Sequence, residues 1–206
     1  MSTERRVPIG GIVLCGGASR RMGQPKAMLP FGPECMLQRV VRLLGEVAEP
    51  VVVVAGPEQP LPPLPPAVEI ARDRRPHQGP LEGIAVGLRV LAGRVEAAYV
   101  SACDVPLLLP AFVRRVAELA GNWPVAVPRV GQYDEPLAAV YRVEVLPKIE
   151  ALLAAGRLRP AFLFDTVPTL RIPAEELREV DPELLSLLNA NQPEQYAEAL
   201  RRAGFS

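Results

Sequence analysis

Apolar residues in this chain gather into two alternating kinds of segment. Short, nearly continuous runs rich in Val, Ile and Ala occur at 11–14, 50–55, 68–70, 97–101, 125–128, 137–141 and 166–172. Runs of that length and β-branched character predict strands buried on both faces. Helix-like segments lie between and after them, at 36–46, 83–91, 110–120, 143–155 and 193–203. Asn191 is a good cap for the last of these, with Pro193 near its first turn. Strand and helix in alternation predict β-α units around a mostly parallel sheet, an α/β fold. The proline-dense stretch 59–66, with its Pro-x-x-Pro pattern, reads as a stiff connection between two strands rather than a ligand for a proline-recognition module. No internal repeat is visible. From about Glu175 onward a C-terminal helical layer is expected. A chain of 206 residues suits one substantial core, so a single domain over 1–206 is expected.

Composition narrows the function classes. Hydrophobic residues make up 49% of the chain, enough for a packed globular fold. Acidic and basic side chains balance at 23 each. That neutrality argues against a broad nucleic-acid or membrane-surface footprint, which needs clustered Lys and Arg. Cys15, Cys35 and Cys103 have no Cys-x-x-Cys spacing, and with the single His77 they make no zinc site. Reduced thiols are the simplest reading. Residues 1–6 are polar and charged, and no apolar run is long enough to span a bilayer. A soluble, cytoplasmic protein is expected.

Against that neutral background one loop stands out. The first apolar run stops at Cys15-Gly16-Gly17, and Arg20, Arg21 and Lys26 follow within a few residues. Backbone N–H groups exposed by glycines, with cations on the same loop, suit a polyphosphate. The spacing is not that of a Walker A loop, since no Gly-Lys pair occurs, nor of the Gly-x-Gly-x-x-Gly dinucleotide fingerprint. A second feature is Cys103-Asp104-Val105-Pro106, where an apolar run ends on an aspartate. Ligands gather at the carboxyl ends of strands in open α/β sheets, so Asp104 is expected to face the same crevice as the glycine loop. It is a candidate ligand for Mg2+, which favours one or two carboxylates plus substrate phosphates. An aspartate that merely caps the following turn is the competing reading. A third is Asp73 with Gly79-Pro80-Leu81-Glu82-Gly83. Asp73 could accept hydrogen bonds from a ribose or base, and Gly79 and Gly83 permit close backbone approach; an ordinary strand-to-helix loop explains the same residues. His77 reads as loop decoration. Asn189 and Asn191 offer amide donors before the last helix, although a structural role alone would account for them.

Taken in order, Leu14-Cys15-Gly16-Gly17-Ala18-Ser19-Arg20-Arg21-Met22-Gly23-Gln24-Pro25-Lys26, Asp73, Gly79-Pro80-Leu81-Glu82-Gly83, Cys103-Asp104-Val105-Pro106, Pro136-Leu137 and Asn189-Ala190-Asn191-Gln192-Pro193-Glu194 resemble the molybdenum cofactor guanylyltransferases of the nucleotidyltransferase superfamily. The resemblance implies a three-layer, Rossmann-like fold with a mostly parallel central sheet flanked by helices. It implies transfer of GMP from GTP to the phosphate of molybdopterin or the molybdenum cofactor, with Mg2+ and with pyrophosphate leaving. It further implies that Leu14, Cys15 and Gly16 contact the nucleotide, Lys26 its phosphates, and Asp73 and Asp104 the nucleotide and metal. Asn189 and Asn191 map to the pterin side. Cys15 departs from the alanine usual there; a backbone contact would survive the change, whereas its bulk could perturb base fit. Other proteins of molybdenum cofactor biosynthesis, or a molybdoenzyme, are implied as partners. Phosphoryl-type transfer needs positioning and charge neutralisation more than a strong base. Arg21 and Lys26 are therefore expected to offset charge on the pyrophosphate, with Asp104 as the metal carboxylate. The rival readings are a cytidylyl- or sugar-phosphate nucleotidyltransferase, and a binding protein without turnover.

Overall fold

The computed structural model describes residues 9–16, 25–73 and 79–205. Along them run strand β1 (Gly10–Leu14), a small hairpin of β2 (Pro30–Phe31) and β3 (Glu34–Cys35), helix α1 (Met36–Gly45), β4 (Val51–Ala55) and β5 (Glu69–Arg72). Then come α2 (Gly79–Leu91), β6 (Ala97–Ala102), α3 (Pro110–Ala120), β7 (Val125–Val130), β8 (Tyr133–Asp134) and β9 (Ala138–Arg142). The chain closes with α4 (Leu146–Ala154), α5 (Ala161–Phe164), β10 (Thr169–Pro173), α6 (Ala174–Arg178) and α7 (Pro193–Arg202). Each strand and helix expected from the sequence is present, with shifted ends. Helix α2 begins at Gly79 rather than at residue 83, and a 3-10 turn, Val143–Val145, precedes α4. The hairpin β2–β3, strand β8 and helix α5 are too short for periodicity to reveal.

The main sheet runs in the order β10-β7-β9-β6-β1-β4-β5. Strands β5, β4, β1 and β6 are mutually parallel, β10 is parallel to β7, and β9 runs antiparallel between β6 and β7. The turn from β7 to β9 explains the reversal: it is too short for a helical crossover, so the two strands must pair antiparallel. Strand β1 is flanked by β4, reached through α1, and by β6, reached through α2, so the order reverses at β1. That reversal opens a crevice above the carboxyl ends of the strands.

Both faces of the sheet are covered. Val13, Val53, Tyr99 and Val140 pack beneath α1, α3 and α6 through Leu37, Val40, Phe112, Val116 and Leu177. Ile12, Val52, Val100 and Tyr141 pack beneath α2, α4 and α5 through Ile84, Leu88, Ile149 and Leu163. All five residues of β1 and all five of β4 are buried, as their unbroken apolar runs require. Helix α2 comes unusually close to β1. A Cβ on Gly87 would lie 2.7 Å from the Cδ1 and Cγ2 atoms of Ile12, and one on Gly83 would lie 3.2 Å from Leu14 Cδ2.

The C-terminal segment forms a third apolar cluster, in which Ala190 and Ala199 meet Leu29, Phe31, Met36 and Leu107. The Phe31 ring meets those of Tyr196 and Phe205 edge-on, and the Tyr196 hydroxyl donates to Pro30 O. Upstream, the buried Asp181 carboxylate accepts the N–H groups of Leu185 (2.9 Å) and Ser186 (2.8 Å), while Ser186 Oγ accepts the N–H of Leu109 at 3.0 Å. These bonds tie the tail to the start of α3. The residue capping α7 is Gln192, not Asn191. Gln195 Oε1 accepts the N–H groups of both Asn191 (3.0 Å) and Gln192 (3.1 Å), which frees the Asn191 side chain for another partner.

Candidate active site

A cavity of about 750 Å³ lies in the crevice above the carboxyl ends of β1, β4, β5 and β6. Each strand feeds it where its hydrogen-bond ladder ends: Leu14, Cys15 and Gly16 from β1, Val54 to Gly56 from β4, Asp73 after β5, and Ala102, Cys103 and Asp104 from β6. Short backbone bonds hold these ends in register. Cys15 N–H donates to Val54 O (2.8 Å), Cys103 N–H to Leu14 O (3.0 Å) and Asp73 N–H to Ala55 O (2.9 Å). Lys26, Ala27, Gln59, Gly79, Pro80, Gly83, Leu137, Asn189 and Asn191 complete the wall.

At one end three side chains from remote parts of the chain converge. Lys26 opens a 3-10 turn, Lys26–Met28, closed by a 2.9 Å bond from Met28 N–H to Pro25 O. Its Nζ donates to Asp104 Oδ2 at 2.9 Å and also to Asn191 Oδ1. Asp104 is 8% exposed and Lys26 is half-buried, so the pair sits at the wall and not in open water. Ala190 N–H donates to Asp104 O at 2.8 Å, and this bond brings Asn189 and Asn191 to the end of β6. The turn-cap reading of Asp104 does not hold: among the described residues its carboxylate partner is the Lys26 ammonium and no backbone N–H.

Cys15 and Cys103 directly follow the paired ends of β1 and β6, and both are buried. The hydrogen bond between their side chains raises the Cys15 thiol well above the ordinary thiol value, and burial and the nearby Asp104 charge raise it further. Cys15 is therefore a neutral wall element, not a nucleophile. Gly16 has open space where a Cβ would stand, so the backbone is accessible to a ligand there. Gly79 has φ +72° and a Cβ would approach Leu158 O to 3.1 Å, a position suited to glycine. Gly83 lines the cavity too, but the space left by its missing side chain is filled by Leu14, so its smallness serves helix-strand packing.

Of the residues singled out from sequence, Leu14, Cys15, Gly16, Lys26, Asp73, Gly79, Gly83, Asp104, Asn189 and Asn191 all line this one cavity. Gly17, Arg20, Arg21 and His77 lie outside the described residues. Gly56 and Gln59 also line the wall, and neither had a sequence signal attached. They sit at the start of the proline-dense connection, and only their position just past the end of a buried strand could have marked them.

A mostly parallel sheet with a switch-point crevice, a lysine and a carboxylate at one end of it, and room for a nucleotide are features that suit a nucleotidyltransferase. The comparisons agree. A family model described as "MobA-like NTP transferase domain" matches residues 11–170, and the chain belongs to that family. A Mycobacterium tuberculosis protein named as a probable molybdenum cofactor guanylyltransferase is 40% identical over 171 residues, covering 81% of this chain and 84% of its own. One of the same name from Pelotomaculum thermopropionicum is 34% identical over 189 residues, covering 92% and 90%. Among solved structures, molybdopterin-guanine dinucleotide biosynthesis protein A from Archaeoglobus fulgidus superposes with TM-score 0.79 at 23% identity, over 95% of this chain and 99% of that one. No helix among the described residues is long and apolar enough to cross a membrane.

Proposed function

We propose that residues 1–206 form one nucleotidyltransferase domain that transfers GMP from GTP to the terminal phosphate of molybdopterin or its molybdenum-loaded form. Molybdopterin guanine dinucleotide forms and pyrophosphate leaves. The guanylyltransferase names of the two relatives at 40% and 34% identity support the choice of nucleotide and acceptor. The observation that carries the reading is the meeting of Lys26, Asp104 and Asn191 at one end of a nucleotide-sized cavity.

The acceptor phosphate is ionised at neutral pH, so the protein's task is to hold two anions together and offset their charge. In this reading the Lys26 ammonium, already poised at the wall, takes the phosphates of GTP. Arg21, on the same loop in sequence, adds a second cation against the charge that builds on the leaving pyrophosphate. Gly16 and Gly17 let backbone N–H groups approach the phosphates, and Asp73 accepts from ribose or base. Asn189 and Asn191 lie on the acceptor side. Buried Cys15 and Leu14 keep water from the wall beneath the nucleotide.

The donor set fits Mg2+. Oδ2 of Asp104 meets the Lys26 ammonium, Oδ1 has no hydrogen bond among the described residues, and no cluster of three metal-binding side chains is found among them. One carboxylate completed by phosphate oxygens and water is the arrangement Mg2+ favours. When bound, the ion would neutralise phosphate charge and orient the triphosphate.

Mass identification of the product after incubation with molybdopterin, Mg2+ and mixed GTP, CTP, ATP and UTP tests the proposal. Molybdopterin guanine dinucleotide with one pyrophosphate per turnover is expected. A cytidine dinucleotide, or GTP bound with no pyrophosphate released, would overturn it.

A further inference from the structure

The far end of the cavity carries a polar group that the proposed reaction does not yet use. Strands β6, β1, β4 and β5 are consecutive neighbours, so Asp104 after β6 and Asp73 after β5 stand about 14 Å apart across the sheet at ordinary strand spacing. That is close to the reach of an extended nucleoside triphosphate. With phosphates at Lys26 and Asp104, the nucleobase falls toward β4 and β5, where Gly56, Gln59 and Asp73 form the wall.

Gln59 is built into this wall with little freedom. Its N–H donates to Gly56 O at 3.3 Å, and the Gly56 N–H donates back to Gln59 Oε1 at 3.2 Å. Arg72 clamps the turn from outside, its Nη1 donating to Gly56 O (2.9 Å) and to Gln59 O (2.8 Å). A backbone N–H can only donate, so the carboxamide must turn its oxygen to Gly56. Its Nε2, with two donors, is left over. Among the described residues no acceptor meets it, although the half-buried side chain lines the cavity. A turn stapled by four hydrogen bonds thus presents a fixed donor pair.

We propose that Gln59 is a specificity-determining residue whose Nε2 donates to the O6/N7 edge of guanine. This rests on the reading of the cavity as the site of nucleotidyl transfer. Guanine shows two acceptors on that edge, whereas adenine sets an amino group beside N7 and cytosine shows an amino donor. The donor pair meets two acceptors on guanine, whereas adenine offers N7 alone and sets its amino group against the second donor, and cytosine sets an amino group there too; a mismatch of that kind discriminates.

Gln59→Glu tests this in the full-length protein. The carboxylate can still accept from Gly56 N–H, so the turn is retained, but the donor pair becomes an acceptor. The ratio of kcat/KM for GTP over ATP, with molybdopterin and Mg2+, is expected to fall by about tenfold or more. The fall should appear in KM, with kcat at saturating GTP little changed. Gln59→Met, of similar length and without donors, should lower the same ratio and serves if the Glu variant melts well below wild type. Wild-type selectivity in folded variants would overturn the inference while leaving guanylyl transfer standing. If wild type itself turns over no GTP, the functional reading fails instead. Calorimetric affinities for GTP and ATP then decide this one: a lowered ratio in the variant supports it, and an unchanged ratio overturns it.

Discussion

Replacing Lys26 with alanine separates a catalytic role from a structural one, because the two carry different magnitudes. The Lys26–Asp104 pair spans 2.9 Å with side chains 22% and 11% exposed. At that separation the attraction is about 1.4 kcal/mol at the dielectric of water and about 6 kcal/mol at an effective dielectric of 20. Desolvation of both groups cancels much of the larger figure, and the cavity wall admits water to Asp104 once the lysine is gone. A net stability loss of about 1–2 kcal/mol follows, or a fall in Tm of roughly 2–8 °C for a chain of this size. The variant therefore stays folded at 25 °C. Loss of a preorganised cation facing developing charge costs about 10²–10³ in turnover, as for an oxyanion-hole donor. Thermal melts together with steady-state pyrophosphate release read the two effects separately. Asp104→Ala should match the loss, and the double variant should be far from additive, since both groups serve one triphosphate. A Lys26→Ala protein that melts normally and keeps kcat/KM within a few-fold of wild type would refute the assignment.

Gly87→Ala places a methyl 2.7 Å from two atoms of Ile12, which is itself 0% exposed and cannot give way. Overpacking should outweigh the helix propensity gained and lower stability by about 1–2 kcal/mol in urea denaturation, whereas Gly45→Ala, with nothing within 4 Å of the new Cβ, should be neutral or stabilising. Glu135 has its carboxyl raised above the usual range by burial first and by neighbouring Asp134 second. A raised acid binds its proton more tightly in the folded state, so its charge costs stability, increasingly as pH climbs from the unfolded value of about 4.3 through the folded one. Glu135→Gln should thus raise Tm at pH 7, with the gain vanishing below about pH 4; a gain that persists in acid would contradict the burial cause.

Local pattern along the chain encodes the elements of the core. Unbroken valine and isoleucine runs mark strands buried on both faces, so β1, β4 and β6 were readable, as were the helices that cover them. The glycine-rich end of β1 and the aspartate ending β6 were legible as chemistry for the same reason, since strand termini are where an open sheet gathers ligands. The reversed direction of β9 was within reach too, because a short β7–β9 turn permits no crossover. Tertiary structure alone decided the rest. Lys26 reaches Asp104 and Asn191 across sequence separations of 78 and 165 residues, and no local pattern encodes such a meeting. It depends on Gln195 capping the turn at Gln192, which turns Asn191 from the expected cap into a partner of the lysine. Gln59, inside a stretch that reads as a plain connector, acquires its place in the wall only through Gly56 and Arg72. Periodicity records which face of an element is buried, whereas a site is assembled by the order in which those elements stack.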